Sequence, residues 1–333
     1  MILIFAILKK SCYIKKKYKK ILRMQTIDKQ NLKPNNNISS LSSTSIGEQK
    51  KEKIGKKVAI IGCGYVGKAV ASYWYQQGYI VTGTTTREEK ISDLENITHN
   101  PVVVRGDNLE AIEKVVEDQE TILVSIAPIS DRQVSAEVYA QTYIPTAKNL
   151  VTVLNNNSTV KQVIYLTSGS VYGDKKGEWV DETSPLDTES DYGKVLVEAE
   201  NIILGLKRED IKVCLLRLGG IYGPGRELNK RLGRMAGKTL PGNGENYVAW
   251  IHLEDIVKGI EFVQEKGCHG VYNLVNDMKL NSKELCDLIC DRQQLERVYW
   301  DDSKPSFSSL NARVDNSKIK QEGYQFIYAD TLI

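Results

Sequence analysis

The chain has six cysteines but no CxxC pair, and its three histidines (His99, His252 and His269) do not cluster. Zinc sites and disulfide frameworks both need such spacing, so neither a metal site nor a disulfide scaffold is expected. Scattered thiols suit a reducing compartment, and Cys286 and Cys290, one helical turn apart, are expected to be buried. No integral membrane segment is found: MILIFAIL at residues 1–8 falls well short of the about 20 apolar residues that cross a bilayer. Its charges also follow the apolar run, the reverse of a secretory signal. A general excess of one charge is missing too. The formal net charge of +3 hides eight basic residues concentrated in 9–23. With these eight of the 45 basic side chains set aside, 37 face 42 acidic ones, a net of −5. That balance gives the body no electrostatic footprint for nucleic acid.

What is present begins at residue 56. Residues 1–55 read as a disordered basic and polar extension. Met24 as the true start, an organelle-targeting segment and a polybasic membrane tether are the alternatives. Beyond it, KKVAIIG, YIVTGTT, PVVVRGD, TILVSIAP, QVIYLTS and IKVCLLRL are short apolar runs separated by helical patterns. Such alternation specifies α/β architecture, a doubly wound parallel Rossmann sheet. Residues 56–220 are expected to form this core. Residues 221–333, loop-rich from GGIYGPGR onward, form a smaller C-terminal substrate-binding portion, with 252–275 packing back on the core.

GCGYVG at 62–67 joins the first strand to the first helix, the context in which this spacing signals a dinucleotide site. Gly62 allows the tight turn, Gly64 lets a pyrophosphate approach the backbone and Gly67 lets strand and helix pack closely. Amides of Tyr65 and Val66 at the helix start face the phosphates. Where the second strand ends, a carboxylate would bind a ribose 2′-hydroxyl. Here the sequence is Thr85-Thr86-Arg87, and Arg suits a 2′-phosphate. NADP is therefore the expected cofactor, with NAD the alternative. Asp107, Ile126 and Ala127, after the third and fourth strands, are expected beside it.

Several motifs occur together in order: TSGSVYG (167–173), a helix at Tyr192, LRLGGIYGPGR (216–226), WIHLEDIV (250–257) and GVYNLV (270–275). Over residues 57 to about 328 the chain resembles the extended short-chain dehydrogenase/reductases, the NAD-dependent epimerase/dehydratase group. The resemblance implies that Ser168 hydrogen-bonds the reacting oxygen and that Tyr192 is the general acid/base. It makes His252 and Asp255 structural, at a capped helix start. Leu196 departs from the family, which keeps a lysine there to hold the nicotinamide ribose and assist the tyrosine. Lys194 lies about 200° around the helix from that position and cannot substitute.

A free tyrosine titrates near ~10, and a neighbouring cation lowers such a value by roughly 1–3 units. Losing that help slows proton abstraction by roughly tenfold to a thousandfold, whereas donation suffers less. The resemblance therefore points to an atypical branch and a reductase direction. Gly169-Ser170 replace the acids of sugar-nucleotide dehydratases. Gly220, Val248 and Tyr143 also depart from the usual sugar-nucleotide pattern.

The expected activity is an NADP(H)-dependent oxidoreductase acting on a small carbonyl or alcohol. An NAD-dependent epimerase of a sugar or sugar nucleotide and a non-catalytic NADP-binding sensor or assembly protein are the alternatives. Ser170, Tyr222, Arg226 and Arg231 are the expected substrate contacts. Residues 227, 230/231 and 234 form a basic stripe if helical, to be weighed against a plain solvated face. A small-molecule substrate is the expected partner, a homodimer is left open, and the expected location is cytoplasmic, with an organelle stroma or matrix as the alternative.

Overall fold

β1 (Lys57–Ile61) is apolar on both faces, and this fixes its place at the centre of the sheet. Val58 and Ile60 pack on one side, against α1 (Tyr65–Gln76), while Ala59 and Ile61 pack on the other. The computed structural model describes residues 55–128, 134–156, 159–306 and 308–330. Expectations for residues 1–54, including Cys12, lie outside the described residues.

After α1 come β2 (Ile80–Thr85), β3 (Asn100–Val103), α2 (Leu109–Val116), β4 (Thr121–Val124), α3 (Ala136–Asn156) and β5 (Gln162–Ser168). β6 (Asp174–Val180), α4 (Asp191–Leu204) and β7 (Lys212–Leu218) follow. Next are β8 (Gly220–Tyr222), α5 (Leu228–Gly233), β9 (Thr239–Pro241), β10 (Trp250–His252), α6 (Leu253–Lys266) and β11 (Gly270–Leu274). α7 (Ser282–Gln293), β12 (Tyr299–Asp301), β13 (Asn311–Val314) and α8 (Ser317–Gln321) complete the order.

Seven strands form one parallel sheet in the order β11-β7-β5-β4-β1-β2-β3. Helices α2, α3 and α4 bury one face and α1 and α6 the other. This is the doubly wound α/β fold expected from the alternating pattern. The order reverses at β1, between β2 and β4, and such a switch point opens a crevice at the strands' carboxyl ends. A separate cluster of Tyr222, Leu228, Trp250, Met278, Leu285 and Ile289 lies in the loop-rich portion.

Residues 252–275 supply α6, which covers one sheet face, and β11, which pairs with β7. His252 caps α6, its Nδ1 accepting the Glu254 amide at 3.2 Å. Asp255, fully buried, accepts the amides of Ile327 and Tyr328 at 2.7 and 2.9 Å. It therefore ties the C-terminal segment to the start of α6. Burial holds the His252 imidazole below its ordinary range, against the pull of Asp255 and Glu254. Its stabilising contribution is then complete above the unfolded value near ~6.5 and is lost as pH falls through the folded value. Urea denaturation between pH 8 and pH 5 should show this loss, and His252→Asn, which keeps a capping acceptor, should flatten that part of the profile.

Candidate functional site

The turn after β1 is fixed by backbone geometry. Gly62 has φ +97°, and a Cβ there would lie 2.5 Å from the Ser125 carbonyl oxygen. A Cβ on Gly67 would lie 2.2 Å from the Gly62 oxygen, so strand and helix touch at this point. At Gly64, by contrast, nothing stands within 4 Å of the missing Cβ. Gly64 is also the N-cap of α1 and provides no side-chain bond to the helix amides. The turn is anchored below by Thr84, whose hydroxyl and carbonyl accept the Gly62 and Cys63 amides at 2.9 and 2.7 Å. An open backbone next to amides at a helix start fits a dinucleotide pyrophosphate. Cys63 is buried, which pushes its thiol up to about 12, so it is a neutral filler.

Thr85, Thr86 and Arg87 follow at the end of β2, with Thr86 and Arg87 exposed. The Thr85 hydroxyl accepts the Arg87 amide at 3.3 Å, and among the described residues the Arg87 guanidinium pairs only with Glu89, at 3.8 Å. After β3, Asp107 is exposed and is gripped by Arg105 through two bonds of 3.3 and 3.4 Å. After β4, Ile126 is partly buried, its carbonyl accepting the Tyr143 hydroxyl at 3.3 Å, and Ala127 is exposed.

Ser168 ends β5 and caps the short 3-10 turn that follows. Its hydroxyl shares a 2.8 Å bond with Ser170 and accepts the Ser170 amide at 3.2 Å. Tyr192 lies in the first turn of α4. That helix is capped by Ser190 and set in place by Asp187, which accepts the amides of Glu189 and Ser190 at 3.0 and 3.1 Å. The Tyr192 hydroxyl donates to the Val134 carbonyl at 2.5 Å, and its ring meets Tyr139 edge-on at 5.3 Å. Ser168 and Tyr192 therefore hold separate partners here and are not bonded to each other. Leu196 is 3% exposed and packs in the core. Lys194 points to solvent and pairs with Asp191 at 3.9 Å.

Beneath the site lies a network that the sequence reading missed. Arg217 on β7 and Glu200 on α4 pair at 2.7 Å, with exposures of 4% and 1%. Glu200 also accepts the Thr167 hydroxyl at 2.9 Å, and Arg217 donates to the Tyr172 hydroxyl at 3.0 Å. Tyr172 in turn donates to Asn273 on β11 at 2.7 Å. An arginine inside a strand buried on both faces was the available signal, since such a charge requires a partner.

On the substrate side, Tyr222 is buried against the His252 ring at 5.1 Å. Burial pushes its hydroxyl up to about 12, and a bond with the Asn276 side chain opposes this. Arg231 stands 5.7 Å above the Trp250 ring, and Arg226 stands 4.2 Å above the Tyr65 ring. The basic stripe is shorter than expected, because α5 covers only Leu228–Gly233 and Lys230 is paired with Glu227 at 3.2 Å. Among the described residues no group of His, Cys, Asp and Glu could hold a metal, and no helix is long and apolar enough to cross a membrane.

A parallel sheet with an amide-rich turn at its switch point defines a nucleotide-binding Rossmann protein. Residues 58–274 match the NAD dependent epimerase/dehydratase family, and the chain belongs to it. It is 28% identical over 289 residues to Protein YeeZ of Escherichia coli K12, covering 84% of this chain and 98% of that protein. A dTDP-glucose 4,6-dehydratase of Streptomyces griseus is 29% identical over 56% of this chain and 60% of its own length. Among solved structures, a functionally unknown conserved protein from Silicibacter pomeroyi superposes with a TM-score of 0.63 at 25% identity, covering 83% of this chain and 95% of that one. A Bacillus anthracis dTDP-glucose 4,6-dehydratase in complex with NAD shares the fold, with a TM-score of 0.68 at 20% identity over 84% and 94% of the two chains.

Proposed function

We propose that this chain is an NADP(H)-dependent oxidoreductase that reduces a small carbonyl compound. The observation that carries the reading is the retention of Ser168 and Tyr192 in a chain whose pyrophosphate turn is open at Gly64. When bound, the cofactor supplies the hydride. The Ser168 hydroxyl, steadied by Ser170, donates a hydrogen bond to the carbonyl oxygen. Tyr192, released from the Val134 carbonyl, gives its proton to the oxygen as it gains charge, and solvent returns a proton to the tyrosine. This direction uses the neutral phenol and therefore suffers less than proton abstraction from the missing cation at position 196. Tyr222 and Arg231 border the substrate.

NADP as the preferred cofactor rests on the absence of an acid at the end of β2 and on the weakly engaged Arg87. Arg87→Ala should weaken NADPH binding about tenfold, the scale of one charge-assisted bond, while NADH binding stays within about twofold. Fluorescence titration reads both, and tighter NADH than NADPH binding by the wild type would refute the preference.

Two observations favour a second reading, a non-catalytic binder: the Tyr192 hydroxyl bound to a backbone carbonyl and Leu196 buried where the family keeps its lysine. NADPH consumption over a panel of aldehydes and ketones separates the readings. Turnover should fall at least about a hundredfold in Tyr192→Phe if the tyrosine is the acid. A wild type that binds cofactor but consumes none with any carbonyl would leave the binder.

A further inference from the structure

We infer that Arg226 binds the cofactor's diphosphate and that the Gly223–Arg226 turn is a strap closing over it. The inference rests on the nucleotide-binding reading of the Gly62–Gly67 turn and gives it a contact from the opposite half of the fold. The strap is tightly built. The Arg226 amide donates to the Gly223 carbonyl at 2.8 Å, and the reverse bond is 3.4 Å. Gly223 has φ +143°, and a Cβ there would come within 3.1–3.3 Å of Leu253, the His252 Nε2 and the Tyr65 hydroxyl. The position therefore admits only glycine, and the turn is held by α6 on one side and by Tyr65 on the other.

Tyr65 makes the link across the cleft. It is the first residue of α1, directly after Gly64, and its hydroxyl donates to the Pro224 carbonyl at 2.9 Å. Its ring carries the Arg226 guanidinium at 4.2 Å. Among the described residues Arg226 has no ion-pair partner, since the neighbouring Glu227 is paired with Lys230 at 3.2 Å. A cation without a carboxylate partner among the described residues thus lies over the ring of the residue that opens α1, a helix whose N-cap, Gly64, makes no side-chain bond to the helix amides. A diphosphate complements both, and guanidinium–phosphate bonds are among the stronger polar contacts. Arg231, by contrast, lies over Trp250 in the loop-rich portion. The two arginines read from the sequence as substrate contacts therefore divide, one to the cofactor and one to the substrate.

Calorimetric and fluorescence titration of the full chain with NADPH, NADH and ADP-ribose tests the inference. Arg226→Gln should weaken all three about tenfold, and the loss should shrink as salt is raised, because Arg226 is exposed. Tyr65→Phe keeps the ring but frees Pro224, and should weaken the same three ligands by a few-fold. Thermal melts confirm that both variants are folded. ADP-ribose binding to folded Arg226→Gln with wild-type affinity would overturn the strap's role. A wild type that binds none of the three ligands would instead overturn the nucleotide-binding reading.

Discussion

Arg217→Met is expected to cost the fold about 3–5 kcal/mol, the usual penalty for leaving one member of a buried ion pair alone. Glu200 would keep its carboxylate at 1% exposure with, among the described residues, the Thr167 hydroxyl as its remaining hydrogen-bond partner. Urea denaturation at pH 7 should show a large drop in midpoint. The pH dependence identifies the cause. An unpaired buried carboxylate has its folded pKa raised above the unfolded value, so its penalty is absent at low pH and grows as pH rises through that window. The deficit should therefore be smaller at pH 5 than at pH 8. The double variant Arg217→Met with Glu200→Met should recover much of the loss, since an apolar pair of similar volume often replaces a buried ion pair at little cost. An unchanged midpoint in the single variant would show that the pair contributes nothing.

Gly64→Val should abolish dinucleotide binding, by about a hundredfold or more, while leaving the protein folded with a smaller loss of stability than a collision inside the core would cause. Nothing in the protein lies within 4 Å of a Cβ added at Gly64, so no neighbour is displaced, and the cost to the fold is the backbone strain of a β-branched residue at φ −79° and ψ −146° on a helix N-cap. The ligand is obstructed directly, because its pyrophosphate must approach the backbone there. Gly67→Ala provides the contrast: its Cβ would collide with the Gly62 oxygen at 2.2 Å, so stability itself should fall. Melting curves and cofactor titration on the two variants separate the effects. Near-normal NADPH affinity in Gly64→Val would remove the amide turn from the binding site.

The sheet and the cofactor turn could be read from sequence because both are local. Alternating runs set β1 to β5 and β7, and the spacing of Gly62, Gly64 and Gly67 needs only its own strand and helix. β6, β8, β9, β10, β12 and β13 were not legible. DKKGEWV, which forms β6, has no apolar alternation, and its partner β13 lies more than a hundred residues away. Long-range pairing also hid the Glu200–Arg217 contact and the meeting of Tyr65 with Pro224, 159 positions apart. The importance of Leu196 came from comparing it with a known helix pattern, and only coordinates could reveal that it is packed in the core. The Tyr192–Val134 bond involves a backbone carbonyl, for which side-chain identity gives no signal.

The pairing of β11 with β7 bears on how the gene can be cut for expression. A fragment ending at residue 220 would leave one side of β7, from Cys214 to Leu218, without its ribbon neighbour. Bare amides and carbonyls along so apolar a stretch recruit other copies of themselves, and such a fragment should collect in inclusion bodies. Any split-protein reporter or selection library made from this gene therefore needs its break outside the interval between β7 and β11.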